Sequence, residues 1–244
     1  MRYPVYALIP FRGGGKRFGA DKETIDLGGV PMAAWTIRAA IDSGVFDRVI
    51  AVCGKSAHQE VAETYGAEVP GFRPEETLGD NSPDIEWVKW ALGLVDKIDT
   101  ETAISILRVT SPFRDAHHIQ EAWLKFVDAK GADSLRTVTT SHQDVFKTWV
   151  INNDRLLPLY PFGKETPWHS RPSQLNPKTV VQTAGMEFAW AKRVLETNTI
   201  AGSVVVPYVV SGLAAIDINT QEDYKTAVFA VESGLVQNPF TRRK

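Results

Sequence analysis

From Val5 to about Ala129, short aliphatic and β-branched runs alternate with stretches whose apolar positions fall three and four residues apart. This alternation predicts strand-helix-strand units and a mainly parallel sheet. Strands are expected at Val5–Pro10, Arg48–Cys53 and Ala103–Val109. Pro31–Asp42 opens on proline and is apolar nearly all round, as a helix lying on a sheet would be. Asp84–Val95 places Ile85, Val88, Leu92 and Val95 on one helical face, and a further helix is expected over Ala116–Ala129. The pattern breaks after residue 140: residues 141–182 hold five prolines, paired asparagines and few periodic apolar positions, as expected of an excursion from the main sheet. Order returns at Gly185–Trp190, at Ser203–Val210 and in a terminal helix, Gln221–Ser233. The expectation is one Rossmann-like α/β domain over residues 1–244, with 141–182 inserted into it.

Composition agrees with a single large core, since the chain has 244 residues and is 43% hydrophobic. A net charge of −2 leaves no molecule-wide electrostatic footprint for nucleic acid or an anionic membrane, so any anion binding must be local. The one cysteine, Cys53, lies inside an apolar run and reads as a core thiol, which excludes a disulfide framework. With no long apolar run and no signal-type N-terminus, the chain is expected to be soluble and cytoplasmic. His117 and His118 have no supporting carboxylates in sequence and read as solvent-exposed.

One stretch stands out, "IPFRGGGKRFGADK", residues 9–22, with four glycines and four basic side chains. Glycine lets backbone amides approach an anion closely, and lysine or arginine supplies the countercharge. The two common phosphate templates fail, because Phe18 sits where G-x-G-x-x-G needs glycine and Ala20-Asp21 follows Gly19 where a P-loop needs lysine and a hydroxyl. In an open α/β sheet this loop and "VTSPFR", Val109–Arg114, should both face the crevice at the carboxyl ends of the strands.

Read as R-G-G-x-K with a second lysine six positions on, Arg12 to Lys22 resembles the phosphate loop of the N-acylneuraminate (sialic acid) cytidylyltransferases. Further blocks follow in order: "FDRVIAV", "FRPEETLGD", "TSPFR", "ADSLRTV", "KTWVINN" and "AIDINTQEDYKTA". The resemblance implies a three-layer nucleotidyltransferase fold and transfer of CMP from CTP to a nine-carbon α-keto sugar acid, with release of pyrophosphate. It implies Gly13, Gly14 and Gly15 along the triphosphate, with Arg12, Lys16 and Lys22 as its charge partners, each worth about 2–4 kcal/mol in the transition state. Arg73, Asp80 and Ser82 are placed near the nucleotide, the latter two capping the following helix; Thr110 and Ser111 form a turn below the base, and Lys147 and Arg171 meet the sugar acid. Asp217 matches the first carboxylate for Mg²⁺, the implied cofactor, and a homodimer is implied, with 141–182 as lid or dimerisation arm. His169 is expected to touch substrate or solvent rather than act as a base.

Three positions depart from the resembled pattern. Asn219 replaces the second metal carboxylate, Arg108 replaces a glutamine and is expected to bring positive charge toward the nucleotide, and Ala184-Gly185 replaces an Asn-Gly pair. Two alternatives stay open: a cytidylyltransferase for the eight-carbon 3-deoxy-manno-octulosonate, and a non-catalytic nucleotide-binding homologue with an impaired metal site.

Overall fold

The computed structural model describes residues 3–13, 18–19, 21–79, 81–95, 98–160 and 168–241. Its sheet is built from β1 (Val5–Phe11), β2 (Arg48–Cys53), β3 (Ala103–Ile106), β4 (Ser134–Thr140), β7 (Val180–Trp190) and β8 (Val205–Val209), in the order β2-β1-β3-β7-β4-β8. All neighbours are parallel except β7, which runs antiparallel to both β3 and β4. The architecture is therefore α/β with a mainly parallel sheet, as the alternating pattern predicts.

Side-chain alternation along β1 divides the core in two. Val5, Ala7, Ile9 and Phe11 enter the layer beneath α1 (Met32–Ser43), α2 (Ser56–Thr64), α4 (Ala116–Asp128) and α6 (Gln221–Glu232). Leu8 enters the opposite layer, beneath α3 (Asp84–Leu92) and α5 (Ala191–Thr197), where Trp87 is fully buried. Each such aliphatic or aromatic side chain contributes roughly 1.5–3 kcal/mol on leaving water. Helix ends follow local chemistry: α1 stops where Gly44 takes a left-handed φ of 61°, and Asp115 opens α4 by accepting from the His118 amide at 2.9 Å.

Several boundaries differ from the sequence expectation. β3 ends at Ile106, not Val109, because only Leu107 continues the ladder, bonding Leu8 O at 3.0 Å before the chain turns through Pro112. The excursion closes earlier than residue 182, since Val180 already pairs with Thr140. Within it, β5 (Trp149–Asn152) and β6 (Arg155–Pro158) form a separate hairpin. Asn153 and Asp154, with φ of 48° and 61°, make the two-residue turn that suits such a hairpin. α3 begins after Pro83, which offers no side-chain cap, so Ser82 is not the cap expected for it. Asp80, Gly14, Gly15 and Lys16 lie outside the described residues.

Candidate functional site

The carboxyl ends of β1 and β3 and the segment before α6 meet at one edge of the sheet. Ile218 donates its amide to Thr110 O at 2.8 Å, which ties the "TSPFR" turn to the Asp217–Asn219 segment. Lys22 arrives from the β1 side and donates to Ile218 O at 2.9 Å and Asn219 Oδ1 at 3.3 Å. Four of the sequence-predicted residues, Lys22, Thr110, Asp217 and Asn219, are thus brought together. Asp223 fixes the segment from below, its Oδ2 accepting from the Asn219 and Thr220 amides at 2.9 and 2.8 Å within the capping box of α6.

Asn219 donates to Asp217 Oδ2 at 2.6 Å while its own oxygen faces Lys22. The two side chains therefore bond each other instead of presenting two oxygens to one centre. Asp217 Oδ1 is buried and has no hydrogen-bond partner. A lone hard oxygen of this kind suits a divalent cation that draws its remaining ligands from phosphates and water.

Where the Gly-rich loop leaves β1, an internal carboxyl occupies its first amides. Glu23 Oε1 accepts from Arg12 N at 2.9 Å and Gly13 N at 3.1 Å. Gly13 has φ of 69°, and a Cβ there would come within 2.7 Å of His58 Cε1, so both conformation and space call for glycine. His58, fully buried, meets Asp21 Oδ2 at 2.8 Å, and Lys55 Nζ meets the same oxygen at 2.5 Å. Burial and the hydrogen bond shared with Asp21 push the Glu23 carboxyl up. Burial opposes charge on Asp21 as well, yet hydrogen bonds from Glu23, Lys55 and His58 hold it well below the usual carboxylate range. The two carboxyls of the pair are thus pushed in opposite directions, Glu23 up and Asp21 down.

Arg73 is 5% exposed, lies 5.4 Å from the Trp87 ring and donates through Nε to Thr77 Oγ1 at 2.9 Å. Burial pushes its guanidinium down to about 10. Ser82 Oγ sits 2.9 Å from Glu76 O and 3.1 Å from Glu86 Oε2, and Ser111 is buried inside the turn with its hydroxyl unpartnered. Arg108 is expected to lend charge to the nucleotide; in the structure its NH2 group lies 2.6 Å from Asp84 Oδ2 and 3.0 Å from Glu187 Oε1, so two carboxylates already balance it. Lys147 is exposed on the excursion, where Asp144 pins the local turn through Asn176 at 2.8 Å. Arg171 donates to Leu175 O at 3.2 Å, and the His169 ring packs 4.5 Å from that of Trp149.

Sequence reasoning passed over Asp21, Glu23, His58, Arg114, Arg136 and Glu187. Arg114, buried and pushed down to about 9 by that burial, donates to Gly185 O and so locks the turn onto β7. The lone charge in "GMEFAW" was the available signal for Glu187; His58, in a polar helix, gave none.

A family model described as cytidylyltransferase matches residues 6–154. An N-acylneuraminate cytidylyltransferase of Escherichia coli O18:K1:H7 is 27% identical over 231 residues, which is 93% of this chain and 52% of that protein. This chain therefore spans about half the length of that relative. A pseudaminic acid cytidylyltransferase of Campylobacter jejuni is 25% identical over 221 residues, 90% of this chain and 93% of that one. Among solved structures, a CMP:2-keto-3-deoxy-manno-octonic acid synthetase complexed with CTP superposes with a TM-score of 0.68 at 10% identity, covering 95% and 99% of the two chains, a likeness of fold. With the family model spanning well over half of the chain and the sheet order set out above, the chain belongs to the cytidylyltransferase family.

Proposed function

We propose that the chain transfers CMP from CTP to a nine-carbon α-keto sugar acid of the N-acylneuraminate, pseudaminate or legionaminate class, releasing pyrophosphate. The observation that carries this reading is the junction of Lys22, Asp217 and Asn219 with the Thr110 turn at the carboxyl edge of the sheet. Two relatives named for sugar acids, one matching over nearly its whole length, support the acceptor class.

The reaction needs no nucleophile from the protein. An acceptor hydroxyl oxygen bonds the α-phosphorus in line, the bond from that phosphorus to the β-phosphate oxygen breaks, pyrophosphate leaves, and the hydroxyl proton passes to solvent. Positioning and charge neutralisation are what the protein supplies. In this reading Lys22 neutralises charge near the α-phosphate, Arg12 and Lys16 take the outer oxygens, and Arg73 holds the nucleotide side of the cleft. Mg²⁺ is the proposed cofactor, held by Asp217 Oδ1 and, once Lys22 turns to the phosphates, by Asn219 Oδ1. When bound it would screen the triphosphate charge. Lys147 and Arg171 are proposed to reach the acceptor from the excursion, in a homodimer.

Asn219 favours a second reading, a nucleotide binder without turnover, because its amide has taken one oxygen of the remaining carboxylate. Pyrophosphate release with CTP, Mg²⁺ and a panel of α-keto sugar acids decides between them. Release with at least one nine-carbon acid is the expected result; CTP binding by calorimetry with no release from any acid selects the second reading, and release only with an eight-carbon acid overturns the acceptor class.

A further inference from the structure

Phe18 is the residue that breaks the G-x-G-x-x-G template, and between the end of β1 and Lys22 it is the one large apolar side chain in the sequence. A loop made only to hold phosphate gains nothing from a phenyl ring in that place. The ring is 3% exposed and joins the core layer beneath α1 and α6. It meets Tyr224 edge to face, the centroids 5.7 Å apart and the planes at 89°. The Phe18 carbonyl oxygen accepts from Gln221 Nε2 at 2.8 Å, a bond across 203 residues of sequence. Gln221 and Tyr224 both lie on the first turn of α6, the turn that the Thr220–Asp223 capping box fixes. Tyr224 also donates its hydroxyl to Asp26 O, so α6 grips the loop on either side of Lys22.

The other neighbour of the ring is Lys22 itself. Its Nζ lies 5.5 Å from the Phe18 centroid, within the range at which the negative face of an aromatic ring attracts an ammonium. The same Nζ donates to Ile218 O and Asn219 Oδ1. Three consecutive glycines, Gly13 to Gly15, precede this part of the loop, and lysine has a long stem with much rotamer freedom to lose. A ring clamped by α6, together with two oxygens from the segment before it, meets that loss before any ligand arrives. The ring differs from the oxygens in one respect. Ile218 O and Asn219 Oδ1 compete with phosphate for the N–H donors, whereas at 5.5 Å the ring acts on the charge and not on a particular N–H. It can therefore remain beside the ammonium when the donors pass to phosphate oxygens.

Resting on the function proposed above, we propose that Phe18 is the positioning residue for Lys22: held by Gln221 and Tyr224, its ring keeps the ammonium at the carboxyl edge of the sheet while the N–H donors exchange Ile218 and Asn219 for the triphosphate. Lys22 touches substrate; Phe18 acts only through it.

The test measures kcat and both KM values in the full chain for Phe18→Leu, Lys22→Ala and the double variant, with the best acid of the panel. Phe18→Leu keeps an apolar side chain in the core and removes the ring, so kcat/KM for CTP should fall roughly three- to thirtyfold, the range spanned by cation–π contacts, with the acceptor KM within about twofold of wild type. In the Lys22→Ala background the same replacement should change kcat/KM for CTP by less than about twofold, because the ring then has no ammonium to hold. Phenylalanines carrying one, two and three fluorines at position 18 keep the packing and weaken the negative face of the ring. With them kcat/KM for CTP should fall stepwise while the thermal midpoint stays near that of wild type, which decides the matter even where Phe18→Leu does not fold. An unchanged kcat/KM in Phe18→Leu overturns the proposal, as do equal losses with and without Lys22, a fluorinated series with no trend, or an acceptor KM that rises in step with that for CTP. The same cycle run by calorimetry with CTP and Mg²⁺ needs no turnover. If wild type turns over no acid, the functional reading fails and calorimetry decides Phe18: weaker CTP binding in Phe18→Leu, with no further weakening in the Lys22→Ala background, supports it, and equal weakening in both backgrounds, or no CTP binding by wild type, overturns it.

Discussion

At the scale of single residues, the carboxyl of Glu23 does work that the glycines were expected to leave for phosphate. By accepting from the Arg12 and Gly13 amides it satisfies donors that would otherwise be buried beside His58. Glu23→Ala should therefore cost about 2 kcal/mol, one or two unsatisfied donors, while Glu23→Gln, whose carbonyl accepts both amides and whose NH₂ still reaches Asp21, should cost under about 1 kcal/mol. The pH dependence separates the two states of the pair. Because the folded-state pKa of Glu23 is raised, its stabilising share is full below the ordinary value of 4.5 and is lost as pH climbs through the raised folded value. Asp21 has the opposite sign, its share present above the ordinary 3.8 and lost as pH falls toward its depressed value. Denaturant unfolding across pH 4 to 8 should then show wild type losing ground to Glu23→Gln as pH rises. Parallel curves for the two proteins would mean that the Glu23 carboxyl is not pushed up in the folded state. None of this was legible in "FGADKE", because His58, the partner of Asp21, comes from a helix far along the chain.

At the scale of elements, legibility followed burial pattern. β1 and β2 were read closely because buried parallel strands are nearly continuous in aliphatic residues. β4 was missed because Arg136 interrupts "SLRTVTT", and only its pairing with Glu187 across the sheet explains a charge there. α2 escaped notice because it buries only His58 and Ala62, too little to write a helical stripe. The β5–β6 hairpin makes a prediction of its own. Ile151, 77% exposed, stands opposite Leu156, and Val150 opposite Leu157, so both faces of a two-stranded sheet are apolar and open. Such a hairpin is marginal in water without a covering surface, which is the physical basis for the proposed homodimer. Ile151→Asp combined with Leu156→Asp should convert a dimer to a monomer by light scattering, with the thermal midpoint of the main domain moving by only a few degrees. A wild-type chain that is monomeric at tens of micromolar would remove the hairpin from the assembly.

At the scale of the molecule, the site joins segments nearly two hundred residues apart, Lys22 to Ile218 and Asn219, and the same contacts close α6 onto the sheet. Ligand binding and global stability should therefore be linked. A ligand present at a hundred times its Kd adds about 2.7 kcal/mol to the folded state, which for a chain of this size raises the thermal midpoint by roughly 5–11 °C. CTP with Mg²⁺ is expected to give a shift of this order. Lys22→Ala should lose most of it, because the ammonium that now holds Asn219 is the one proposed to meet the α-phosphate. Asn219→Asp should act the other way. Without metal it sets a second carboxylate 2.6 Å from Asp217 Oδ2, which like-charge repulsion makes unfavourable, so its midpoint should fall below that of wild type. Mg²⁺ would relieve that repulsion, and the CTP-dependent shift should then appear at lower Mg²⁺ than wild type requires. Scanning calorimetry over a Mg²⁺ series at fixed CTP reads all three proteins together. An Asn219→Asp curve that tracks wild type at every Mg²⁺ concentration would show that no ion sits between Asp217 and residue 219, and an undiminished shift in Lys22→Ala would move the triphosphate away from this edge of the sheet.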